Sequence, residues 1–451
     1  MTSNQAKRIT WTDPAEHTPH FSYATVRQDG LRFRGVQCDG VPLEDIAEQV
    51  GTPAYVYSKR SIAGAYRQLD RAFGSLPHRL CYALKANSNQ SVLRVLAKLG
   101  SSFDIVSGGE LERLRRIQVS GDRIVFSGVG KNRNEIRSAI AYSASRSARP
   151  GILMFNVESE PELDVLIEEA SRHVRKGGKR VSASIRVNPD ILAGGHPHIS
   201  TGYHQHKFGM GWQDALRLYK LHKDSPWIAW QGISAHIGSQ ILAVAPFRRA
   251  AGRLGAYVRE LAGAGIHLRY VDIGGGLGIR YTNEAPIDRA MYARALAQVM
   301  RPLRCTLLLE PGRAIVGPAG VLLTRVLYVK RNGGKRFVIV DAAMNDLIRP
   351  SLYGATHPIT PAIAPANGAA AAEPADIVGP VCESGDFLAR DWPLPEVKAG
   401  DLLIVWAAGA YGFVQSSNYN ARLRPPEVLV ERGGFRIIRR RQNFDDLVRG
   451  E

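Results

Sequence analysis

Lys85 closes a short apolar run in the segment Cys81-Tyr82-Ala83-Leu84-Lys85-Ala86-Asn87. An amine delivered from the end of an apolar strand is partly desolvated, which favours its neutral, nucleophilic form and makes it a good Schiff-base former. The same placement also suits an ordinary lysine snorkelling from a strand end. His236 ends a second apolar run, in Ser234-Ala235-His236-Ile237-Gly238-Ser239-Gln240. There an imidazole can ligate a metal, act as a base, lay its flat face on an aromatic ring, or simply complete a structural hydrogen bond. Asp272-Ile273-Gly274-Gly275-Gly276-Leu277-Gly278 places three glycines at a strand end. Bare backbone N–H groups in such a turn can wrap a phosphate, although the GK[ST] ending of a P-loop is missing. Glu310-Pro311-Gly312-Arg313 sends out a carboxylate and a guanidinium together. A carboxylate facing a pyridine nitrogen keeps that ring protonated and so an electron sink, and an arginine fork suits a substrate carboxylate. A mutual salt bridge is the plainer alternative for this pair.

These groups must be carried by something that brings strand ends together. From about residue 50 to residue 313, short β-rich apolar runs alternate with helical-period stretches such as 91–99 and 246–261. The runs are residues 80–84, 103–106, 124–126, 152–155, 181–187, 233–236, 270–273 and 306–309. Eight βα units predict a closed (β/α)8, TIM-like barrel more readily than an open sheet, and in such a barrel the C-terminal strand ends converge on one site. Beyond Pro318 the pattern changes to alternating strands, including 321–330 and 336–341 around a hairpin turn at Asn332-Gly333-Gly334. The expected organisation is therefore a barrel over 48–316 and a mostly β C-terminal domain, a sandwich or barrel, over 317–451. Residues 1–47 contain strand-like pieces at 21–26 and 31–36, which are expected to join the β domain. The Ala/Pro-rich stretch 361–374 reads as a surface loop.

Composition narrows the function classes. A chain of 451 residues, 45% hydrophobic, supports two ordinary cores. Its four cysteines, Cys38, Cys81, Cys305 and Cys382, are far apart and show no C-x-x-C spacing, which argues against a disulfide framework or structural zinc and for a reducing, cytoplasmic setting. No stretch approaches the roughly 18 apolar residues of a membrane span, and the start has no signal-like apolar region. The formal charge of +18 comes mostly from arginine scattered along helical segments, without aromatic interleaving, so neither nucleic acid nor membrane is expected as a partner. Arg439, Arg440 and Arg441 read as a solvated strand end. His196, His198, His204 and His206, before Lys207, suit no firm coordination geometry, and no metal is expected.

Taken together, Tyr82-Ala83-Leu84-Lys85-Ala86-Asn87, His236-Ile237-Gly238-Ser239, the triple glycine and Glu310-Pro311-Gly312-Arg313 resemble the barrel-type pyridoxal-phosphate decarboxylases, in the family's order and on the expected strands. The likeness runs from about residue 45 nearly to the C-terminus. It includes Phe103-Asp104-Ile105-Val106-Ser107-Gly108-Gly109-Glu110-Leu111, and Ser200-Thr201-Gly202 leading to Lys207-Phe208-Gly209. The resemblance implies pyridoxal 5'-phosphate held by Lys85 as a Schiff base, His236 stacked on its ring and Glu310 paired with the pyridinium. It further implies that Ser239, Gly275, Gly276 and the backbone around Gly312 hold the phosphate, with Arg313 and Tyr411 also about the cofactor.

Arg349-Pro350-Ser351-Leu352-Tyr353, Cys382-Glu383-Ser384-Gly385-Asp386 and Ala410-Tyr411-Gly412 are similar to the branch of that family specific for meso-diaminopimelate, whose product is L-lysine. A substrate with a second amino-acid head needs a cation for the far carboxylate and an anion for the far ammonium. Arg313 and Arg349, helped by Tyr353, suit the first and Glu383 the second. Paired arginines repel the purely cationic far end of ornithine or arginine, and decarboxylases of those substrates or of a carboxylated polyamine are the first alternative. A non-catalytic cofactor-binding relative and a racemase are the others. The resemblance also implies that Cys382 reaches the neighbouring subunit's cofactor and donates a proton after carbon dioxide leaves, that Tyr411 contacts cofactor and substrate, and that the homodimer is the catalytic unit.

Overall fold

Strand-forming residues fall into two groups, each of which closes its own hydrophobic core. The computed structural model describes residues 18–28, 31–143, 151–191, 207–364 and 372–451. The histidine cluster at 196–206 and Ser200-Thr201-Gly202 lie outside the described residues. Near the start, β1 (Phe21–Gln28), β2 (Leu31–Cys38) and β3 (Val41–Pro42) form a small antiparallel sheet. The next strand, β4 (Ala54–Ser58), has all five residues buried.

The barrel follows: β5 (His78–Ala83), β6 (Ser102–Ile105), β7 (Ile124–Phe126), β8 (Met154–Val157), β9 (Val181–Arg186), β10 (Ile228–Ser234), β11 (Tyr270–Asp272) and β12 (Thr306–Leu309). Each pairs in parallel with the next, and β12 closes on β5 through Leu307 opposite His78. All eight apolar runs read from the sequence are therefore barrel strands. Helices follow the strands after short turns, because side chains just past the strand ends cap them. Asn89, Ser107 and Ser159 each accept one N–H group from the first turns of helices Gln90–Lys98, Gly108–Arg116 and Glu160–Arg175, so each cap satisfies one of the donors that the helix start leaves without an intrahelical partner. Inside the barrel, Cys81, Val125, Met154, Tyr270 and Leu308 pack into an apolar plug, as the filled interior of an eight-stranded barrel requires.

The β unit adds β13 (Gly320–Asn332), β14 (Lys335–Val340), β15 (Ile359–Pro361), β16 (Glu373–Val378), β17 (Phe387–Leu394), β18 (Leu402–Val405), β19 (Glu427–Glu431) and β20 (Gly434–Arg439). The main sheet runs β17-β16-β14-β13-β4-β19-β20, with β18 also on β13 and β15 on β18. β13 and β14 meet at a two-residue turn in which Gly333 and Gly334 both have positive φ, 57° and 79°. That backbone matches the twist of the flanking strands, and glycine adopts it without cost.

Phe21, Val36 and Val41 of the N-terminal sheet share a core with Val56, Leu323, Ile404, Trp406 and Val428, and the Phe21 and Trp406 rings meet edge to face at 5.9 Å. The expected division at residue 48 places residues 54–58 with the barrel, but β4 pairs antiparallel with β13 and parallel with β19. Covered on both faces, it reads as a continuous apolar run and not as an alternating one, so its sequence looks like a barrel strand. Correspondingly, one compact unit takes in the described residues up to Ile62, together with Ile279–Ala285 and Val316–Glu451, and the other holds Ala63–Gly278 and Pro286–Ile315. The Ala/Pro-rich loop is shorter than its composition suggests, since Pro361 ends β15 and Pro374 belongs to β16; residues 365–371 lie outside the described set. Among the described residues no helix is long and apolar enough to cross a membrane.

Candidate active site

Above the apolar plug, the barrel strands end in polar groups. Lys85 lies in a single 3-10 turn directly after β5, and its Nζ is 2.9 Å from Oδ2 of Asp104 on the neighbouring β6. Asp104 is wholly buried, and its other oxygen has no hydrogen-bond partner among the described residues. From β11, Asp272 accepts the Gly274 N–H at 2.9 Å. Just past β12, Glu310 accepts from Ser127 at 3.4 Å. Asn156 on β8 links these carboxyls: its Nδ2 donates to Ser127 Oγ at 3.0 Å and to Asp272 Oδ2 at 3.4 Å, while its Oδ1 accepts from Ser184.

Asp104 on β6, Asp272 on β11 and Glu310 just past β12 are all buried in this mouth, and their proximity opposes the ionisation of Glu310 and Asp272. Burial, then the charges of Asp104 and Asp272, push the Glu310 carboxyl well above the usual carboxylate range. Asp272 moves up for the same reason, burial first, with the Gly274 N–H opposing. Behind Asp104, Glu110 caps the backbone by accepting the Val106 N–H at 2.8 Å, and burial raises it to about 7. The arrangement calls for cations in this mouth, and Lys85 is one.

His236, after β10, accepts the Gly275 N–H at Nδ1 over 3.1 Å. The accepting nitrogen carries no proton, so the ring is neutral with its hydrogen on Nε2. Burial, with Arg186 and Lys85 adding positive charge, holds its pKa well below the usual imidazole range. Arg186 itself is fixed by Glu158 at 2.8 Å. The glycine turn packs against this histidine closely enough to exclude side chains. A Cβ on Gly275 would sit 2.2 Å from the Glu310 carbonyl oxygen, and one on Gly276, whose φ is +105°, would sit 2.5 Å from that of Gly238. Ser239 accepts from Arg313 Nη2 at 3.0 Å. Gly312 stands between Arg313 and Pro311, whose carbonyl takes the Ala83 N–H at 3.1 Å and so ties this loop to the Lys85 strand. Lys85, His236, Ser239, Gly275, Gly276, Glu310, Gly312 and Arg313 are thus gathered at the C-terminal ends of the barrel strands.

The remaining expected residues belong to the β unit. Arg349 opens the short helix Arg349–Tyr353 and is buried; its Nη1 lies 2.6 Å from Nε2 of His357, and its guanidinium stands 5.0 Å over the Tyr281 ring. Tyr353 OH accepts from Gln415 at 3.4 Å. Cys382 is exposed, its N–H donating to Asn420 at 3.0 Å. Glu383 accepts from Tyr419 OH at 2.9 Å. The loop bearing both is pinned by Asp386, which accepts the N–H groups of Met344 and Val381 at 2.6 and 2.8 Å. Tyr411 takes a left-handed backbone, φ 57°, which for a tyrosine marks a locally enforced conformation.

The pyridoxal-binding domain model of the pyridoxal-dependent decarboxylases matches residues 59–317. The diaminopimelate decarboxylase of Pseudomonas fluorescens is 47% identical over 425 residues, 94% of this chain and 99% of that protein. The chain belongs to the diaminopimelate decarboxylase family. The crystal structure of the Helicobacter pylori member, complexed with L-lysine, superposes with a TM-score of 0.84 at 41% identity, covering 90% of this chain and 98% of that one. The M. jannaschii member, also in complex with L-lysine, gives a TM-score of 0.85 at 34% identity, with 96% and 97% covered.

Within the framework of this decarboxylase family, sequence reasoning passed over Asp104, Ser127, Asn156, Ser184 and Arg186, which build the polar floor, and His357 and Tyr281, which hold Arg349. For Asp104, Asn156 and Ser184 a signal exists: each is a polar side chain inside a strand segment whose neighbours are apolar and buried. His357 offers no such sign.

Proposed function

We propose that this chain is a pyridoxal-phosphate-dependent carboxy-lyase that converts meso-2,6-diaminopimelate to L-lysine and carbon dioxide, the closing step of lysine biosynthesis. The reading is carried by one observation, the Lys85 amine at the barrel mouth beside a floor of buried carboxyls. The residues fit the cofactor. A buried aspartate oxygen without a hydrogen-bond partner and two carboxyls with raised pKa values suit a cationic ring, a neutral imidazole suits its face, and the glycine turn leaves backbone in place of side chains. Pyridoxal 5'-phosphate, when bound, supplies the aldehyde that captures the substrate amine and the protonated ring that accepts the electron pair left by carbon dioxide.

Lys85 would hold the aldehyde carbon through Nζ until the substrate amine displaces it. Glu310 would keep a proton on the ring nitrogen, and His236 would lie on the ring face. Ser239, Gly275, Gly276, Gly312 and Arg313 would hold the phosphate end. Arg313 and Arg349, with Tyr353, would take the far carboxylate of the substrate, Glu383 its far ammonium, and Tyr411 would contact both cofactor and substrate. Cys382 would return a proton to the carbon that carbon dioxide leaves, acting in the site of a second subunit, which makes the homodimer the working unit. The exposed position of Cys382 on the single chain supports that role. The absence of a disulfide among the four cysteines supports a cytoplasmic enzyme.

A substrate panel with absorbance monitoring tests the proposal. Carbon dioxide is expected from meso-diaminopimelate and not from ornithine or arginine, with a visible band from the bound cofactor that Lys85→Ala abolishes. Turnover of ornithine or arginine in preference to meso-diaminopimelate would sink it.

A further inference from the structure

His357 is wholly buried in the β unit, eight residues beyond Arg349, and bridges two elements of it. Its Nδ1 lies 2.8 Å from the carbonyl oxygen of Trp406, itself buried. A carbonyl only accepts, so Nδ1 carries the ring proton and Nε2 presents a lone pair. That lone pair is 2.6 Å from Arg349 Nη1, which donates to it. The Tyr281 ring completes the mount: it meets the imidazole edge to face at 5.2 Å and lies under the guanidinium at 5.0 Å.

We propose that His357 is the positioning residue for the substrate-specificity arginine: it fixes the orientation of Arg349 toward the far carboxylate of the substrate without itself contributing a countercharge. The inference rests on the assignment of Arg349 to that carboxylate. An arginine recognises a carboxylate through a planar fork, so the angle of the plane matters as much as the charge. A carboxylate partner in place of His357 would set the angle but contribute a countercharge, lowering the attraction for an anionic ligand. A neutral imidazole anchored to a backbone carbonyl sets the angle alone. The aromatic face of Tyr281 adds orientation on the same terms.

The test uses the cofactor-loaded enzyme and two competitive ligands that differ only in the group Arg349 should grip. L-lysine carries the far carboxylate; pentane-1,5-diamine is the same molecule without it. His357→Leu is expected to weaken L-lysine about tenfold or more, as loss of a well-oriented charge-assisted contact does, and to leave the diamine within about twofold. His357→Gln keeps an acceptor and a donor in one planar group and is expected to stay near wild type for both. The visible band of the bound cofactor should be unchanged in each. Equal weakening of both ligands by His357→Leu, or of neither, overturns the proposal. Should His357→Leu fail to fold, His357→Asn, which reaches Trp406 but not Arg349, carries the same expectation and the same refutation. Arg349→Met separates the two levels. If it fails to discriminate between the ligands, the assignment of Arg349 is wrong and the inference falls with it; if it discriminates and the His357 variants do not, only the inference fails.

Discussion

Lys85 and Asp104 face each other across adjacent strands with Nζ and Oδ2 2.9 Å apart, the amine about one-third exposed and the carboxylate wholly buried. Removing one member of a buried pair costs more than removing both, because the survivor is left uncompensated. Lys85→Ala is expected to destabilise the cofactor-free protein by about 1–3 kcal/mol, less than for a fully buried pair because water reaches the amine. Adding Asp104→Asn should recover most of that loss without recovering turnover, which falls at least about a thousandfold in both variants. Urea unfolding beside steady-state kinetics checks this, and a double variant no more stable than Lys85→Ala would show that the pair is not coupled.

Glu310 and Asp272 make a pH prediction whose sign follows from their raised pKa values. In the unfolded chain both titrate near the ordinary carboxyl range, about 4, while burial and mutual repulsion raise them in the folded state. The folded protein therefore binds more protons over that interval, and stability falls as pH rises, at up to about 1.4 kcal/mol per pH unit for each group. A cationic ring in the mouth offsets the penalty. The melting temperature of the cofactor-free protein is expected to fall between about pH 5 and pH 7, and the gain on adding cofactor to be larger at the higher pH. Glu310→Gln should flatten the cofactor-free curve by about one proton's worth. A gain independent of pH in the wild type would contradict the assignment of Glu310 to a ring cation.

How far these features can be read before folding depends on the range of the interaction. The eight strands are visible because a buried parallel strand is a short apolar run, and Lys85, His236, Gly275 and Glu310 are visible because each closes one. Residues 54–58 give the same signal yet pair with β13 and β19, since local hydrophobicity carries no address for a strand covered on both faces. Asp104 lies within the segment Phe103-Asp104-Ile105-Val106 but acquires its meaning only when β5 and β6 align Ala83 with Asp104 and so bring it against Lys85. His357 is less visible still, because its two bonds go to residues 8 positions earlier and 49 later.

The glycine turn is expected to tolerate no side chain. Gly276 has φ +105° and no room, since its Cβ would fall 2.5 Å from a backbone oxygen that cannot swing away. Gly276→Ala forces the turn to shift, at about 1–3 kcal/mol of local strain. The shift falls on the segment assigned to the phosphate, so cofactor affinity should drop about tenfold or more, while far-ultraviolet dichroism stays native. Equilibrium dialysis against pyridoxal 5'-phosphate measures it. Unchanged affinity would remove this turn from the cofactor site.

Cys382 and Lys85 lie in different units of the chain, and the proposed chemistry places the Cys382 of one subunit with the Lys85 of another. Lys85→Ala and Cys382→Ala should then each be severely impaired alone, the second by about a hundredfold or more as expected for loss of a positioned proton donor. Mixing the two variants under conditions that exchange subunits creates mixed dimers. If each site draws one group from each chain, one of the two sites in a mixed dimer receives both alanines and the other receives intact Lys85 and intact Cys382. Activity should appear in the mixture and rise with exchange time, tracked by carbon dioxide release. If both groups of a site come from the same chain, every site in every dimer keeps one lesion and the mixture stays as inactive as its parts. A silent mixture with demonstrated exchange would therefore refute the shared site and leave Cys382 without the assigned role.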